Sequence, residues 1–314
     1  MHMAATQSSA WSAAVSFSVQ SNVLKNLRAE LQWANPQWAE SGRFDSGTDM
    51  LMFTKYPDLS ITTPLTPLTE GTAPTARALT MDTVTIQTAQ YGDLVGLTDI
   101  AKVKSVNDVV SIASERVSRT AKEVIDRVTR DAIFLGGTPY YALGASTNSV
   151  RSDIASTEIA VGADLIKLRA VMKKNKVPTM SDGSYVFLCS PNIAYDLMKD
   201  TTTATSWLDI NKYARPGEIF DGELGKVHGF RIVEVNNAPT FSSTTTVYAA
   251  LAVGAIKGWG AGELQSLQTY HIPAGGDHSD PLAQVEYVGW KVNFGVATLN
   301  NGYYYRAEFA ATSL

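Results

Sequence analysis

Cysteine is the scarcest chemistry in this chain: one residue, Cys189, in 314. A single cysteine closes no disulfide within the chain, which suits a reducing compartment. It follows the apolar run Tyr185-Val186-Phe187-Leu188 and reads as a small buried hydrophobe. Long apolar runs are missing too. None approaches the roughly 18–20 residues of a membrane span, and the first residues lack the basic-then-apolar pattern of a signal peptide. Charge is modest: 18% of residues, with a net of -4. Nothing in that balance calls for tight nucleic-acid binding. Catalytic motifs are absent: there is no Gly-x-Ser-x-Gly elbow, no His-Glu-x-x-His and no phosphate loop ending in Gly-Lys-Ser/Thr. No lysine occurs from Tyr56 to Ala101.

What is present is a long amphipathic pattern from Asn107 to Leu135. Val110, Ala113, Val117, Ala121, Val124, Val128, Ala132 and Leu135 recur at steps of three and four, the spacing of one helical stripe. Glu115→Arg119, Glu123→Arg127 and Asp126→Arg130 are i,i+4 pairs in the favourable acid-first order. Asn107 or Asp108 can cap the start, and Gly136-Gly137 followed by Pro139 ends the pattern. The helix would be roughly 43 Å long, more than twice the ordinary mean of about 11–12 residues. Its stripe needs a broad sheet or a partner chain to cover it. Five cations, Arg116, Arg119, Lys122, Arg127 and Arg130, stand against Asp108, Glu115, Glu123, Asp126 and Asp131. That is a paired, solvated surface rather than a DNA-binding stripe.

Upstream, residues 1–55 cannot close a core yet hold Trp11, Trp33 and Trp38. An aromatic-rich segment of this kind reads as an arm laid on its own body or on a neighbour. Residues 56–100 are punctuated by Pro57, Pro64, Pro67 and Pro74, followed by the alternation of Val84 and Ile86 with threonines. They read as an extended β-hairpin arm, with Gly92 and Gly96 bracketing a further turn. Such a ribbon is marginal alone and gains stability by docking.

Downstream, helices are expected over Ala163–Lys176, from Ser190-Pro191 through Lys199, and over Trp207–Tyr213. The lysines Lys173, Lys174 and Lys176 suit the dipole at a helix C-terminus, with phosphate binding as the other reading. Strands are expected at Tyr185–Cys189, in a hairpin over Gly222–Val235, at Val247–Val253, over Leu264–Ile272 and Leu282–Leu299, and at Tyr303–Phe309. Helices and antiparallel strands mixed without βαβ alternation indicate α+β. His271, Asp277, His278 and Asp280 form the best metal candidate, though a turn-rich loop uses such residues for solvation alone. His228, beside Gly229, reads as a turn residue rather than a base. Gly258-Trp259-Gly260-Ala261-Gly262 only loosely mimics a nucleotide loop, lacking the acid about 20 residues on. No catalytic residue, metal or cofactor is expected, and no enzyme.

The order of these parts resembles tailed-phage major capsid proteins of the Johnson fold. The likeness covers nearly the whole chain. Its local pieces are Leu68-Thr69-Glu70-Gly71-Thr72-Ala73-Pro74, Ile125-Asp126-Arg127-Val128-Thr129-Arg130-Asp131 and Gly222-Glu223-Leu224-Gly225-Lys226-Val227-His228-Gly229-Phe230-Arg231. Ser190-Pro191-Asn192, Asp280-Pro281-Leu282-Ala283-Gln284 and Gly289-Trp290-Lys291 add to it. The resemblance implies an N-terminal arm at 1–55, an E-loop at 56–100 and a spine helix at 107–135. It implies a peripheral domain at 101–179 with 261–295, and an axial domain at 180–260 with 296–314. It further implies hexamers and pentamers closing an icosahedral shell around double-stranded DNA, in a virion assembled in the host cytoplasm. An encapsulin-like shell for protein cargo is the alternative on the same fold.

Assembly contacts are expected from Trp11, Trp33, Trp38, Leu68, Glu70, Arg77, Val84 and Ile86. Glu115, Arg119, Glu123, Arg127 and Arg130 are expected to mark the spine. The missing E-loop lysine predicts that no lysine of that loop cross-links to a neighbour. Expected partners are further copies of the chain, DNA touched weakly and nonspecifically, a separate scaffolding protein, a portal and a decoration protein, with no membrane. No large N-terminal cleavage is expected.

Overall fold

The computed structural model describes residues 33, 39–43, 50–57, 59, 67–68, 70–73, 76–105, 108–142, 148–200, 223–255, 258–275, 280 and 282–312. Trp11, Trp38 and the helix expected over Trp207–Tyr213 lie outside them. In chain order the strands begin with β1 (Ala39–Arg43), β2 (Met50–Lys55), β3 (Asp82–Gln87) and β4 (Ala89–Thr98). Helices α1 (Asp99–Lys104) and α2 (Val109–Leu135) follow, then β5 (Thr138–Tyr141), α3 (Gly162–Lys174), β6 (Tyr185–Cys189) and α4 (Pro191–Lys199). The chain continues with β7 (Glu223–Val227), β8 (Phe230–Glu234), β9 (Thr240–Ser242), β10 (Thr246–Val253), β11 (Trp259–Ile272), β12 (Val285–Thr298) and β13 (Tyr304–Phe309).

Three sheets result. One has the order β1-β11-β12-β4, one is the ribbon β2-β3, and the largest runs β5-β13-β10-β6-β8-β7 with β9 beside β10. The α+β class stands, but the strands are not all antiparallel as expected. β1 runs parallel to β11, β5 to β13 and β6 to β8. The β6/β8 pair has α4 between its strands, a crossover that the interposed hairpin strand β7 hides from a linear reading.

Helix α2 spans 27 residues, about 40 Å. Asp108 caps it, its carboxylate accepting from the backbone N–H groups of Val110 at 3.2 Å and Ser111 at 3.4 Å. Gly137 supplies the left-handed backbone beyond its end, at φ +78°, where a Cβ would lie 2.5 Å from the Tyr304 ring. The buried stripe departs from the expected one halfway along. Ala113, Val117 and Ala121 are buried as expected, but burial then passes to Ile125, Thr129, Ile133 and Phe134. Val124 and Val128 are only half-buried, and Leu135 is 87% exposed. The cause is that one helix serves two sheets. Its first half packs on Leu97, Val288, Trp290, Val292 and Phe294 of the four-stranded sheet. Its last turn joins Val186, Leu188, Leu251, Val253 and Trp259 under the mixed sheet. The covering surface changes direction, and the stripe turns with it.

The opposite face of the mixed sheet carries the largest apolar cluster, where Leu165, Leu168 and Met172 of α3 and Ile193 and Leu197 of α4 close over Phe187, Phe230 and Phe309. Ser190 caps α4 through its hydroxyl oxygen, which accepts from the N–H of Ile193, and Pro191 opens the helix. Cys189 is fully buried there, and burial, then Glu234, pushes its thiol pKa up, so it stays protonated and inert.

Gly92 and Gly96 bracket no turn; both lie inside β4. A Cβ at Gly92 would meet the Trp290 carbonyl at 2.8 Å, so close approach to β12 is what requires the glycine. The glycine run from Gly258 opens the strand β11, with Gly262 opposite Gly295, and forms no phosphate loop.

Candidate functional site

The feature that the fold does not absorb is the ribbon. β2 and β3 pair antiparallel from Met50↔Gln87 to Lys55↔Asp82. The ribbon therefore begins upstream of the 56–100 segment read as the arm, and that segment's last strand, β4, belongs to the four-stranded sheet instead. Period-two alternation gives the ribbon two faces. Leu51 and Phe53 stand opposite Ile86 and Val84 on the half-covered face. Ile86, fully buried, roots the ribbon against β12, and a Cβ at Gly295 would lie 3.0 Å from its Cγ2. The other face is uncovered, with Met52 61% exposed and Met50 close behind. Beyond the strands Leu68 is 76% exposed, and Tyr56, Leu59, Leu79 and Met81 are also exposed. Scattered apolar side chains are ordinary on a surface, but seven of these fall between Met50 and Met81, on or beside the ribbon.

The expected contact residues divide accordingly. Leu68, Glu70 and Arg77 stand exposed, with Glu70 at the turn made by Gly71 at φ +77°. Val84 is half-buried on the inward face. Ile86 and Trp33 are corrections, because both are completely covered by their own chain and have no surface for a neighbour. Trp33 packs edge-on against Phe134 at 5.2 Å, and its backbone N–H donates to the Asp126 carboxylate at 2.8 Å. Trp33 thus docks on the chain's own long helix.

The charges on α2 are placed largely as expected. Glu115–Arg119 and Glu123–Arg127 close at 3.7 and 3.6 Å, both exposed. Such pairs contribute about 0.3–0.5 kcal/mol each. Asp126 is a correction: buried, it holds the Trp33 backbone, while Arg130 pairs with Asp131 at 2.7 Å and donates to the Asn237 side chain at 2.6 Å. An open cleft of about 490 Å³ runs along this helix between Arg119, Lys122, Asp126, Asn236 and Asn237. Three bases and two acids share its wall.

Two members of the metal candidate, His271 and Asp280, are among the described residues, and each has another partner. His271 faces the buried Glu286, whose other oxygen meets Lys102. Asp280 instead accepts from the Val285 N–H at 2.7 Å. Asp277 and His278 lie outside the described residues. Among the described residues no three potential ligands gather. Burial, then Lys102, lowers the His271 pKa and keeps the imidazole neutral. His228 takes the left-handed backbone, φ +49°, in the β7–β8 turn, as its place beside Gly229 suggested.

Sequence reasoning missed one buried constellation. Glu308 has no exposure and is held bidentately by Arg151 at 2.6 and 2.8 Å. Arg306 approaches it at 2.6 Å and also donates to the Phe134 carbonyl, tying the mixed sheet to the last turn of α2. Arg151 stacks on Phe241 at 3.7 Å. The only hint in sequence is Arg306-x-Glu308, two charges on the same face of a strand.

Comparison with known proteins then bears on the whole chain. A sequence model described as phage capsid protein matches residues 81–311. No curated protein sequence matches. Among solved structures, the capsid of cyanophage P-SCSP1u is 17% identical, with a TM-score of 0.66 and 88% of each chain covered. The capsid of cyanophage Pam1 is 16% identical, TM-score 0.68, covering 90% of this chain and 93% of that one. The capsid of Ralstonia phage GP4 is 14% identical, TM-score 0.66, covering 91% and 93%. At these identities the structures establish a shared fold.

Proposed function

The chain belongs to the phage capsid protein family, and from that premise we propose that it is the major capsid protein of a tailed phage. It is a structural subunit, built to pack against copies of itself. Hexamers and pentamers close an icosahedral shell around double-stranded DNA, and the finished protein resides in the virion after assembly in the host cytoplasm. The observation that carries this reading, beyond family membership, is the set of exposed apolar side chains on and beside the ribbon, Met50, Met52, Leu59, Leu68, Leu79 and Met81. A body with a complete core has no use for such an element unless a neighbour covers it.

The ribbon and the loop it carries act as the E-loop, α2 as the spine, the four-stranded sheet as the peripheral domain and the mixed sheet as the axial domain. Exposed Leu68, Glu70 and Arg77 make contacts between subunits, with Trp11 and Trp38 of the arm. No lysine lies between Tyr56 and Ala101, so shell strength comes from buried interface area or a decoration protein rather than an E-loop lysine cross-link. A scaffolding protein and a portal complete the assembly. An encapsulin-like protein-cargo shell is disfavoured by the family match.

The test is negative-stain microscopy of the purified protein, with the ratio of absorbance at 260 and 280 nm on the same fraction. Closed shells or flat hexamer sheets are expected, with DNA inside shells from infected cells. A folded monomer that gives no rings with any scaffold, and is unchanged by deleting the ribbon, would overturn the reading.

A further inference from the structure

One end of the body gathers basic residues. β6 and β8 run parallel, so their first residues, Tyr185 and Phe230, lie at the same end of the sheet, with the β7–β8 turn beside them. Helix α3 delivers its C-terminus to that end, because the short loop 175–184 leads directly into β6. Arg169 lies over the turn: a Cβ at Gly229 would be 2.7 Å from its Nε. Lys173 and Lys174 occupy the last turn of α3, and Lys176 follows at φ +56°. Lys226 and Arg231 flank the hairpin turn and reach Asp182 at 3.5 and 2.6 Å. Six cations thus gather at this end, with Asp182 between two of them, on a chain whose net charge is -4.

We propose that this surface, formed by Arg169, Lys173, Lys174, Lys176, Lys226 and Arg231, is a contact for the phosphate backbone of duplex DNA. The inference rests on the shell reading above, which supplies a duplex as the enclosed ligand. The helix dipole accounts for Lys173 and Lys174 but not for Lys176, Lys226 or Arg169. What the patch lacks selects the partner. Tyr185 and Phe230 are buried, so no aromatic ring is offered on which unpaired bases could stack. Ile166, one turn before Arg169, is 44% exposed, but among the described residues from Lys167 to Cys189 and from Gly225 to Glu234 no large apolar side chain is. A protein partner would need a cluster of such anchors at the patch itself. The four exposed lysines are flexible point charges, suited to phosphates and not to reading base edges. Asp182 fixes Lys226 and Arg231 while cancelling part of their charge, which keeps the contact weak and independent of sequence. Weak contact is compatible with moving DNA into and out of a shell.

The experiment measures binding of a short DNA duplex to the purified full-length chain by fluorescence anisotropy across a salt series. The triple variant Lys173→Gln, Lys174→Gln, Lys176→Gln is compared with wild type and with Lys104→Gln, an exposed lysine elsewhere. Wild type should bind weakly, with affinity falling as salt rises. The triple variant should lose roughly 2–3 from the slope of log K against log salt, and Lys104→Gln should change it little. An unchanged slope in a triple variant that melts like wild type would overturn the proposal. So would a wild type that ignores duplex but binds polyglutamate, which would assign the patch to an acidic protein. Microscopy of the triple variant separates the two readings: shells that form while duplex binding drops leave the capsid reading intact, and a patch that binds duplex in a chain that never assembles sinks only that reading.

Discussion

The mixed-sheet body and the β2–β3 ribbon use the same apolar residue types to opposite ends. In the body every residue from Tyr185 to Cys189 is buried, with helices on one face and the end of α2 on the other. In the ribbon only Ile86 is fully buried, Met50 and Met52 face outward, and Leu68, Leu79 and Met81 of the segment between its strands are exposed. The body closes its own core, so its residues decide whether the chain folds. The ribbon is rooted at Ile86 and open beyond it, so under the proposed function its residues decide what the folded chain can join. That reading makes folding and assembly separable by mutation.

The largest effects on folding should come from the body. Phe187, with no exposure and packed edge-on with Phe230 at 5.9 Å, fills space that α3 and α4 cannot collapse into. Phe187→Ala should cost about 3–5 kcal/mol in denaturant unfolding of the unassembled chain. A loss below about 1 kcal/mol would mean that the body is not the independent unit described. Glu308→Gln comes next. Removing that charge leaves Arg151 and Arg306 gathered around a neutral amide, and loosens the link from Arg306 to the Phe134 carbonyl. The expected cost is about 3 kcal/mol, read in the same unfolding curves. Near-neutral behaviour would show the triad to be dispensable to the joint between α2 and the sheet.

A smaller effect belongs to the region between the two. His271 lies near the tip of the β11–β12 pair, facing Glu286 with Lys102 on the far side. Its folded pKa is lowered by burial and then by Lys102, whereas the unfolded imidazole titrates near about 6.5. The neutral form is favoured by the fold. Its contribution is therefore complete above the unfolded pKa and is lost as pH falls through and below that value. Thermal melts from neutral pH downward should show stability declining through this window, and His271→Gln should flatten that part of the curve. An unaltered pH profile in the variant would remove His271 from the account.

Much of this division was readable in the sequence, because local signals were strong where they had one job. Ser190-Pro191 capped α4, His228-Gly229 made the hairpin turn, and the apolar run at Tyr185 became a central strand. The long helix was legible in its bounds and exposed ion pairs, but its stripe was misread beyond Ala121. A helix crossing from one sheet to another has no single face, and periodicity assumes one. Trp33 read as an arm contact for the same kind of reason. An aromatic residue in a segment without a core must be buried on something, and sequence does not say whether that is its own chain. The Glu308 triad was out of reach, since Arg151 is remote in the chain and charge pairing over such distances leaves no local pattern. The basic end of the body was half visible. The lysines of α3 were evident, but only the parallel β6/β8 pairing brings the β7–β8 turn beside them.

The ribbon should give the smallest change in folding and the largest in assembly, which tests the comparison most directly. Met52 and Leu79 are both more than half exposed and lie away from the root at Ile86. Met52→Ser with Leu79→Ser removes apolar area that water already reaches, so the unassembled chain should unfold within about 0.5 kcal/mol of wild type. If a neighbouring copy covers these two side chains in a shell, each loss forfeits about 1.5–3 kcal/mol of burial on association, repeated at every copy of a closed particle. Microscopy should then show free subunits or small oligomers where wild type gives shells. Two results would break the comparison. A clear drop in monomer stability would make the ribbon part of the fold's own core, and normal shells from a normally stable variant would leave its exposed methionines and leucines without a partner.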